Sequence, residues 1–96
     1  MNKYELMVIV DSALSQDEKD SIVNEAKEIV SKSEGKVINA QVWLEKHKFT
    51  FPIRKKFEGT YYLINFEAKG AALIRIRQLI KLNERALRSM IVKVEE

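Results

Sequence analysis

Cysteine is absent from this 96-residue chain, and proline, glycine and histidine occur only one, three and one times. Without cysteine the chain forms no disulfide and offers no thiolate to a metal or substrate, which favours a reducing compartment. So little proline and glycine argues against a linker or low-complexity protein. No apolar run approaches the roughly 18 residues of a membrane span, so we expect no membrane partner. The remaining composition, 46% hydrophobic and 32% charged, is typical of one globular domain over residues 1–96.

Charge is distributed unevenly along the chain. Residues 1–45 carry 5 basic and 9 acidic side chains, whereas residues 46–96 carry 12 basic and 5 acidic ones. The second half is therefore suited to a polyanion that the first half would repel. Chance scatter of surface charge is the alternative interpretation.

The first half of the chain predicts a strand, a helix and a second strand. Residues 4–10 form a short run of β-favouring apolar residues, which indicates a central strand. Ser15 and Glu18 form a capping box, which predicts a helix over residues 15–33 with Gly35 as a stop beyond it. Residues 36–46 alternate, as a strand does. On this alternation the residues of one face are Ile38, Ala40, Val42 and Leu44, and those of the other are Val37, Asn39, Gln41 and Trp43.

The second half predicts a hairpin, a helix and a final strand. Residues 60–68 alternate as residues 36–46 do, and we expect residues 49–59 to form a basic, partly mobile hairpin tip around Pro52. Residues 71–83 show helical spacing, and residues 89–94 predict a strand. The order is β-α-β-β-α-β. It predicts an α+β, ferredoxin-like split βαβ fold, with a four-stranded antiparallel sheet and two helices on one face.

One face of this sheet has no helix to cover it. Alternation places Trp43, Tyr61 and Leu63 there, together with Met7 and Ile9 if the other side chains of the first strand point at the helices. An exposed apolar set of this size usually marks a partner surface. Partial cover by the hairpin and by lysine stems is the alternative.

No catalytic or metal-binding constellation occurs in the sequence. His47, the only histidine, lies between Lys46 and Lys48, with no carboxylate to orient it and no second metal ligand beside it. The three glycines are too far apart to form a phosphate-binding loop. We therefore expect no enzymatic activity, metal, cofactor or small-molecule substrate.

Basic residues gather at the hairpin and around the second helix, where they could neutralise phosphates. Phe49, Phe51 and Phe57 lie among the hairpin cations and could stack on bases, although Phe49 and Phe51 alternate like strand residues, and such residues more often belong to a core. The basic residues concerned are Lys46, Lys48, Arg54, Lys55 and Lys56 at the hairpin, and Arg75, Arg77, Lys81, Arg85 and Arg88 on the second helix and its exit.

The RNA-recognition motif shares this order of elements and carries the signature K/R-G-F/Y-G/A-F-V-x-F/Y on its third strand. Residues 58–65 read EGTYYLIN. They keep the glycine but depart from the signature at most of its other defining positions. We therefore expect no base-stacking platform on the sheet itself.

Three stretches resemble the bacterial small-ribosomal-subunit protein six family, and the resemblance covers essentially the whole chain. Tyr4-Glu5 opens the first strand after a short basic start. Residues 49–53, FTFPI, follow His47-Lys48 and resemble the family's pair of arginines followed by Leu-Ala-Tyr-Pro-Ile. Residues 81–92, KLNERALRSMIV, resemble the signature in which Asn and an acid precede an Arg and a Met-Val pair, and they are the most specific of the three.

The resemblance implies the same fold and a structural role. The protein would bind the central domain of small-subunit ribosomal RNA together with ribosomal protein eighteen during 30S assembly in the cytoplasm, and that partner would account for the apolar open face. Lys3 and Arg88 match basic positions of the family, and Lys55 falls in the hairpin tip. His47 and Lys48 stand where arginines are usual and offer no bidentate fork. The candidate RNA-binding set is Lys3, Lys46, His47, Lys48, Arg54, Lys55, Lys56, Arg85 and Arg88.

Two other functions suit the same fold. A ligand-sensing or interaction domain would self-associate through the open sheet face, pairing Trp43, Tyr61 and Leu63 with the same residues of a second copy. An acyl-phosphate hydrolase would need an Arg and an Asn arranged around a phosphate-binding loop, which the sequence lacks.

Overall fold

The protein was analysed as a computed structural model that describes residues 1–83 and 85–94, so Glu84, within the third stretch of resemblance, and residues 95–96 lie outside the described residues. The four strands form one antiparallel sheet in the order β2-β3-β1-β4. This confirms the predicted ferredoxin-like β-α-β-β-α-β fold. The elements are β1 (Asn2–Asp11), α1 (Gln16–Lys32), β2 (Lys36–Ile53), β3 (Lys56–Ala68), α2 (Gly70–Leu82) and β4 (Arg88–Lys93).

The core lies between the sheet and the two helices. Alternate side chains of the two central strands, β1 and β3, point at the helices and are almost completely buried. Because the side chains of a strand alternate between its faces, the residues between them point to the opposite side of the sheet. The buried cluster is formed mainly by Leu6, Val8 and Val10 of β1, Ile64 and Phe66 of β3, Ile22, Ala26 and Val30 of α1, and Ile76 and Ile80 of α2.

Both ends of α1 are fixed by local hydrogen bonds. The Ser15 hydroxyl accepts the backbone N–H of Glu18 at 3.2 Å, which confirms the predicted cap. At the other end the Gly35 N–H donates to the Val30 carbonyl at 2.9 Å in a Schellman-type turn. The left-handed residue of this turn is Glu34, with φ of 66°, and not the glycine. Gly35 is required for space instead, because a Cβ there would lie 2.7 Å from the Val30 Cγ1.

Strand pairing in the hairpin between β2 and β3 extends further than the sequence predicts. The strands continue to Ile53 and resume at Lys56, so the expected loop over residues 49–59 shrinks to the two residues Arg54 and Lys55. Their φ angles are 49° and 66°. Two successive positive φ angles in a two-residue hairpin define a type I′ turn, whose twist matches that of the strands. Pro52 stands in β2, close to this turn.

Irregular register in β2 overturns the face assignment that alternation predicts at both ends of the run over residues 36–46, whereas residues 39–42 keep the predicted faces. Val37 pairs with the buried Phe66 and therefore lies on the helix side, and Ile38 is left exposed where the register shifts. A second shift follows Val42, so Leu44 pairs with Tyr61 on the open side. Each bulge adds one unpaired residue and reverses the faces of the residues that follow, which simple alternation does not predict.

Candidate functional site

Rows of side chains cross the sheet face that has no helix over it. Residues directly opposite each other on antiparallel strands share a face, so the register defines each row. Two central rows are apolar except at one end of each, where Gln41 and Arg88 stand. Together these two rows form an apolar band across the four strands. From β2 to β4 these rows are Gln41, Leu63, Met7 and Met90, and then Leu44, Tyr61, Ile9 and Arg88.

The structure brings the five predicted partner-face residues together on this face, but it buries one of them. Met7, Leu63 and Tyr61 are half-buried, and the ring centroid of the exposed Trp43 lies 6.0 Å from that of Tyr61. Ile9 is only 2% exposed, so the expectation that it is accessible to a partner is wrong.

The burial of Ile9 has a local cause at Gly59. A Cβ added to this glycine would lie 2.8 Å from the Ile9 Cγ2 and 2.7 Å from the Phe49 Cζ. The two side chains therefore converge over a position that has no side chain of its own. Phe49 thus covers this part of the sheet, and Ile9 is a buried residue of the open face.

Two residues of β4 extend the apolar band to the edge of the sheet, and sequence reasoning missed both. Met90 pairs with Met7 and is 48% exposed, and Val92 pairs with Glu5 and is 52% exposed. The signal was present, because Met90 and Val92 alternate in the predicted strand. What the sequence did not give was the register against β1, which decides their face.

An aromatic cluster borders the band on the hairpin side. The ring centroids of His47 and Phe49 lie 5.3 and 6.2 Å from that of Tyr61, and the His47 ring stands nearly perpendicular to it. Residues 47–53, Tyr61 and Arg88 line a shallow groove of about 350 Å³ beside this cluster. The apolar band and the basic hairpin therefore meet at one end of the sheet.

The predicted RNA-binding cations lie in three separate places, one of which is occupied by Arg85 against α1. The hairpin cations lie at the same end of the sheet as Arg88. Arg88 pairs with Ile9 near the end of β1, and the last residue of β1, Asp11, pairs with Gly59 at the base of the hairpin. Lys3 instead pairs with Glu67 near the opposite end of β1. Because Arg88 pairs with Ile9, six residues from Lys3, a rise of about 3.3 Å per residue places Lys3 about 20 Å from Arg88 along the strands.

Lys56 and Arg85 already contact carboxylates of the chain. The Lys56 Nζ lies 3.1 Å from Oδ2 of Asp11. Arg85 pairs with Glu25 of α1, and its guanidinium also donates to the Ser21 hydroxyl at 3.1 Å. Lys46, Lys48 and Lys55 are exposed. A polyanion would thus compete with acidic groups at Lys56 and Arg85 more than at the outer positions.

The part of the chain that the structure describes holds no group of three or more His, Asp or Glu side chains arranged to bind a metal ion. Within the same residues, none of the helices combines the length and apolarity needed to cross a membrane.

Comparisons with known proteins identify a family and relatives that match nearly the whole chain. A family model described as "Ribosomal protein S6" matches residues 3–93. The chain is 34% identical over 96 residues to small ribosomal subunit protein bS6 of Micrococcus luteus, which covers 100% of this chain and 94% of the relative. It is also 34% identical over 98 residues to bS6 of Corynebacterium efficiens, which covers 100% of both chains.

Two solved structures share the fold. The crystal structure of 30S ribosomal protein S6 from Thermotoga maritima aligns with a TM-score of 0.85 at 23% identity, covering 97% of this chain and 87% of that one. The C-terminal domain of the MgtC protein from Mycobacterium tuberculosis aligns with a TM-score of 0.60 at 10% identity, covering 100% and 90%. Proteins with different names therefore share this fold, so the fold by itself does not define a function.

The family model and the curated relatives carry the assignment, since they span nearly the whole chain. They describe structural ribosomal proteins and not enzymes, in agreement with the sequence prediction. The chain belongs to the ribosomal protein S6 family of the bacterial small ribosomal subunit, as its three stretches of resemblance predicted.

Proposed function

We propose that this protein is a structural component of the small ribosomal subunit in the cytoplasm, where it binds the central domain of the ribosomal RNA together with ribosomal protein eighteen. The observation that carries the proposal is the junction of an apolar sheet face with a basic hairpin, at Tyr61, His47 and Arg88. One molecule can thus offer adjacent surfaces to a protein and to RNA.

The apolar band is the surface for the protein partner. Trp43, Met90 and Val92 are each about half exposed, and Met7 and Leu63 lie between them. A soluble chain rarely leaves so large a continuous apolar area in water unless a partner covers it. Ribosomal protein eighteen is the occupant that we propose.

The hairpin and Arg88 form the main surface for RNA. Lys46, Lys48 and Lys55 are exposed side chains at one end of the sheet, and Arg88 lies across the groove from the hairpin. Lysine and arginine neutralise phosphates and release counterions, and the arginine fork can hold two phosphate oxygens at once. Lys3 would contribute a separate contact at the far end of the sheet.

The proposal is tested by filter binding of an RNA fragment containing the central domain, with and without ribosomal protein eighteen, at two salt concentrations. We expect ribosomal protein eighteen to strengthen binding, and added salt to weaken it. The double substitution Lys55→Ala with Arg88→Ala should lower the affinity and reduce the salt slope by about one per cation removed. The matched control is Lys27→Ala with Lys32→Ala on α1, which also removes two positive charges.

Two results would contradict the proposal. An unchanged affinity and salt slope in the Lys55 and Arg88 variant would remove the phosphate assignment. A stable dimer at micromolar concentration that ignores RNA would favour self-association through the open face instead, and light scattering measures this directly.

A further inference from the structure

Two phenylalanines are exposed at the hairpin tip. Phe51 is 78% exposed and Phe57 is 71% exposed, whereas Phe49, nearby on β2, is half-buried. Alternation favoured a core position for Phe49 and Phe51, but the irregular register of β2 and the projection of the hairpin beyond β1 leave Phe51, like Phe57, in water. The fold of this chain makes little use of either ring.

Positive charge predominates around the two rings, although Glu58 follows Phe57 and stands opposite Lys48 in the register. Lys48, Arg54 and Lys55 belong to the same short tip and are exposed, with Lys56 beside them. A protein pocket for the phenylalanines would have to take these charges out of water, which is costly unless each is paired. Unpaired RNA presents flat base faces that alternate with phosphates. The phenylalanine rings can stack on the bases, and the cations can contact the phosphates.

The tip also forms a tight two-residue turn that is anchored to the sheet. Arg54 and Lys55 occupy the left-handed region in a type I′ turn, although neither is a glycine. Backbone strain of this kind persists where the surrounding structure fixes it, and it is concentrated at functional sites. The ion pair between Lys56 and Asp11 ties the base of the turn to the sheet. A tip fixed in advance loses less conformational entropy when it binds.

We propose that Phe51 and Phe57 stack on unpaired bases of RNA while Lys48, Arg54 and Lys55 contact the neighbouring phosphates. The site is distinct from the sheet face, where the stacking signature of the RNA-recognition motif is missing. The proposal rests on the proposed RNA-binding function and adds the kind of RNA that the hairpin takes, a single-stranded segment such as a loop or bulge.

The test uses fluorescence anisotropy with a labelled single-stranded RNA of about ten nucleotides, within the usual footprint of such sites, and a duplex of the same length. Phe51→Leu with Phe57→Leu keeps the apolar character but removes the flat rings. We expect this variant to bind the single strand at least about tenfold more weakly, with the salt slope and the duplex affinity unchanged.

Two control variants separate stacking from general effects. Phe51→Tyr with Phe57→Tyr keeps both rings and should retain wild-type affinity. Ile74→Ala removes an equally exposed apolar side chain from α2 and should change nothing. Because all three positions are exposed, thermal melting should show that each variant remains folded.

The proposal is overturned if the leucine variant binds single-stranded RNA as the wild type does, or if the tyrosine variant loses affinity equally. It is also overturned if the leucine variant weakens only the affinity for ribosomal protein eighteen, measured without RNA. Failure of the wild type to bind the central-domain fragment with ribosomal protein eighteen would instead refute the proposed function. That outcome is distinguishable, since the short single strand measures stacking alone.

Discussion

The Nζ of Lys56 lies 3.1 Å from Oδ2 of Asp11, so an ion pair joins the first residue of β3 to the last residue of β1. The other carboxylate oxygen of Asp11 accepts the backbone N–H of Ala13 at 3.0 Å. The Ala13 hydrogen bond, and then Lys56, hold the pKa of Asp11 below its ordinary value, against the opposing effect of burial.

The lowered pKa of Asp11 predicts a pH dependence of stability. A carboxylate with a lower pKa in the folded state stabilises the fold at neutral pH, and this contribution is lost as the pH falls through the folded pKa. We expect Asp11→Asn to lower the free energy of unfolding at pH 7 by about 1 kcal/mol. The deficit should shrink below about pH 4, and urea unfolding at pH 7 and pH 3 measures it.

The control for Asp11 is Glu45→Gln, which neutralises an exposed carboxylate on β2. An equal loss of stability in both variants at pH 7 would show that net charge, and not the contacts of Asp11, is responsible.

The end of α1 predicts opposite effects at two adjacent positions. Glu34→Gly should raise the free energy of unfolding by about 1 kcal/mol, because Glu34 has a φ of 66° and glycine adopts this conformation without strain. Gly35→Ala should lower it, because the new Cβ would lie 2.7 Å from the Val30 Cγ1. Chemical denaturation measures both. Glu34→Ala is the control, since it removes the carboxylate but keeps the Cβ.

The start of α2 lacks a side-chain cap. Its N-cap residue is Lys69, which makes no capping hydrogen bond, and no acidic residue lies in the first turn. Lys69→Asp should therefore stabilise the protein by about 1 kcal/mol, through a cap and through the helix dipole. The result is read as a higher Tm relative to Lys69→Ala, and equal values for the two variants would contradict it.

Gly59 in β3 and Gly70 at the start of α2 should respond differently to substitution by alanine. A Cβ at Gly59 would lie 2.7 Å from the Phe49 Cζ and 2.8 Å from the Ile9 Cγ2, whereas a Cβ at Gly70 would meet nothing within 4 Å. We expect Gly59→Ala to cost about 1–3 kcal/mol in unfolding free energy by overpacking, and Gly70→Ala to be neutral or slightly stabilising. Equal effects in urea denaturation would show that Phe49 moves aside freely.

The sequence predicts most of the fold where the determining contacts are local. The cap formed by Ser15 and Glu18 spans only four residues of the chain, so the start of α1 was correctly predicted. The faces of Val37 and Leu44 in β2 were not, because the bulges beside them arise from pairing with β3, and a shift of one residue exchanges the two faces. Residues 39–42, between these bulges, face as predicted. The exposed faces of Met90 and Val92 depended in the same way on the register of β4 against β1.

The candidate site was predicted as a set of residue types but not as an arrangement. The carboxylates that pair with Lys56 and Arg85 come from Asp11 and Glu25, which are remote in sequence, so their pairing becomes visible only in the fold. The exposure of Phe51 has the same origin, since it depends on how far the hairpin projects beyond β1.

The strand order has a consequence for how the chain is made. In the centre of the sheet, Val8 of β1 pairs with Tyr62 of β3 on one side and with Ser89 of β4 on the other. The first of the four strands to be synthesised therefore pairs with the last one. Once β3 has paired with β1, the other edge of β1 stays open until β4 is made, and such edges readily pair with other chains. Closing these long loops also makes folding slow. A nascent chain stalled before β4 would therefore be prone to aggregate.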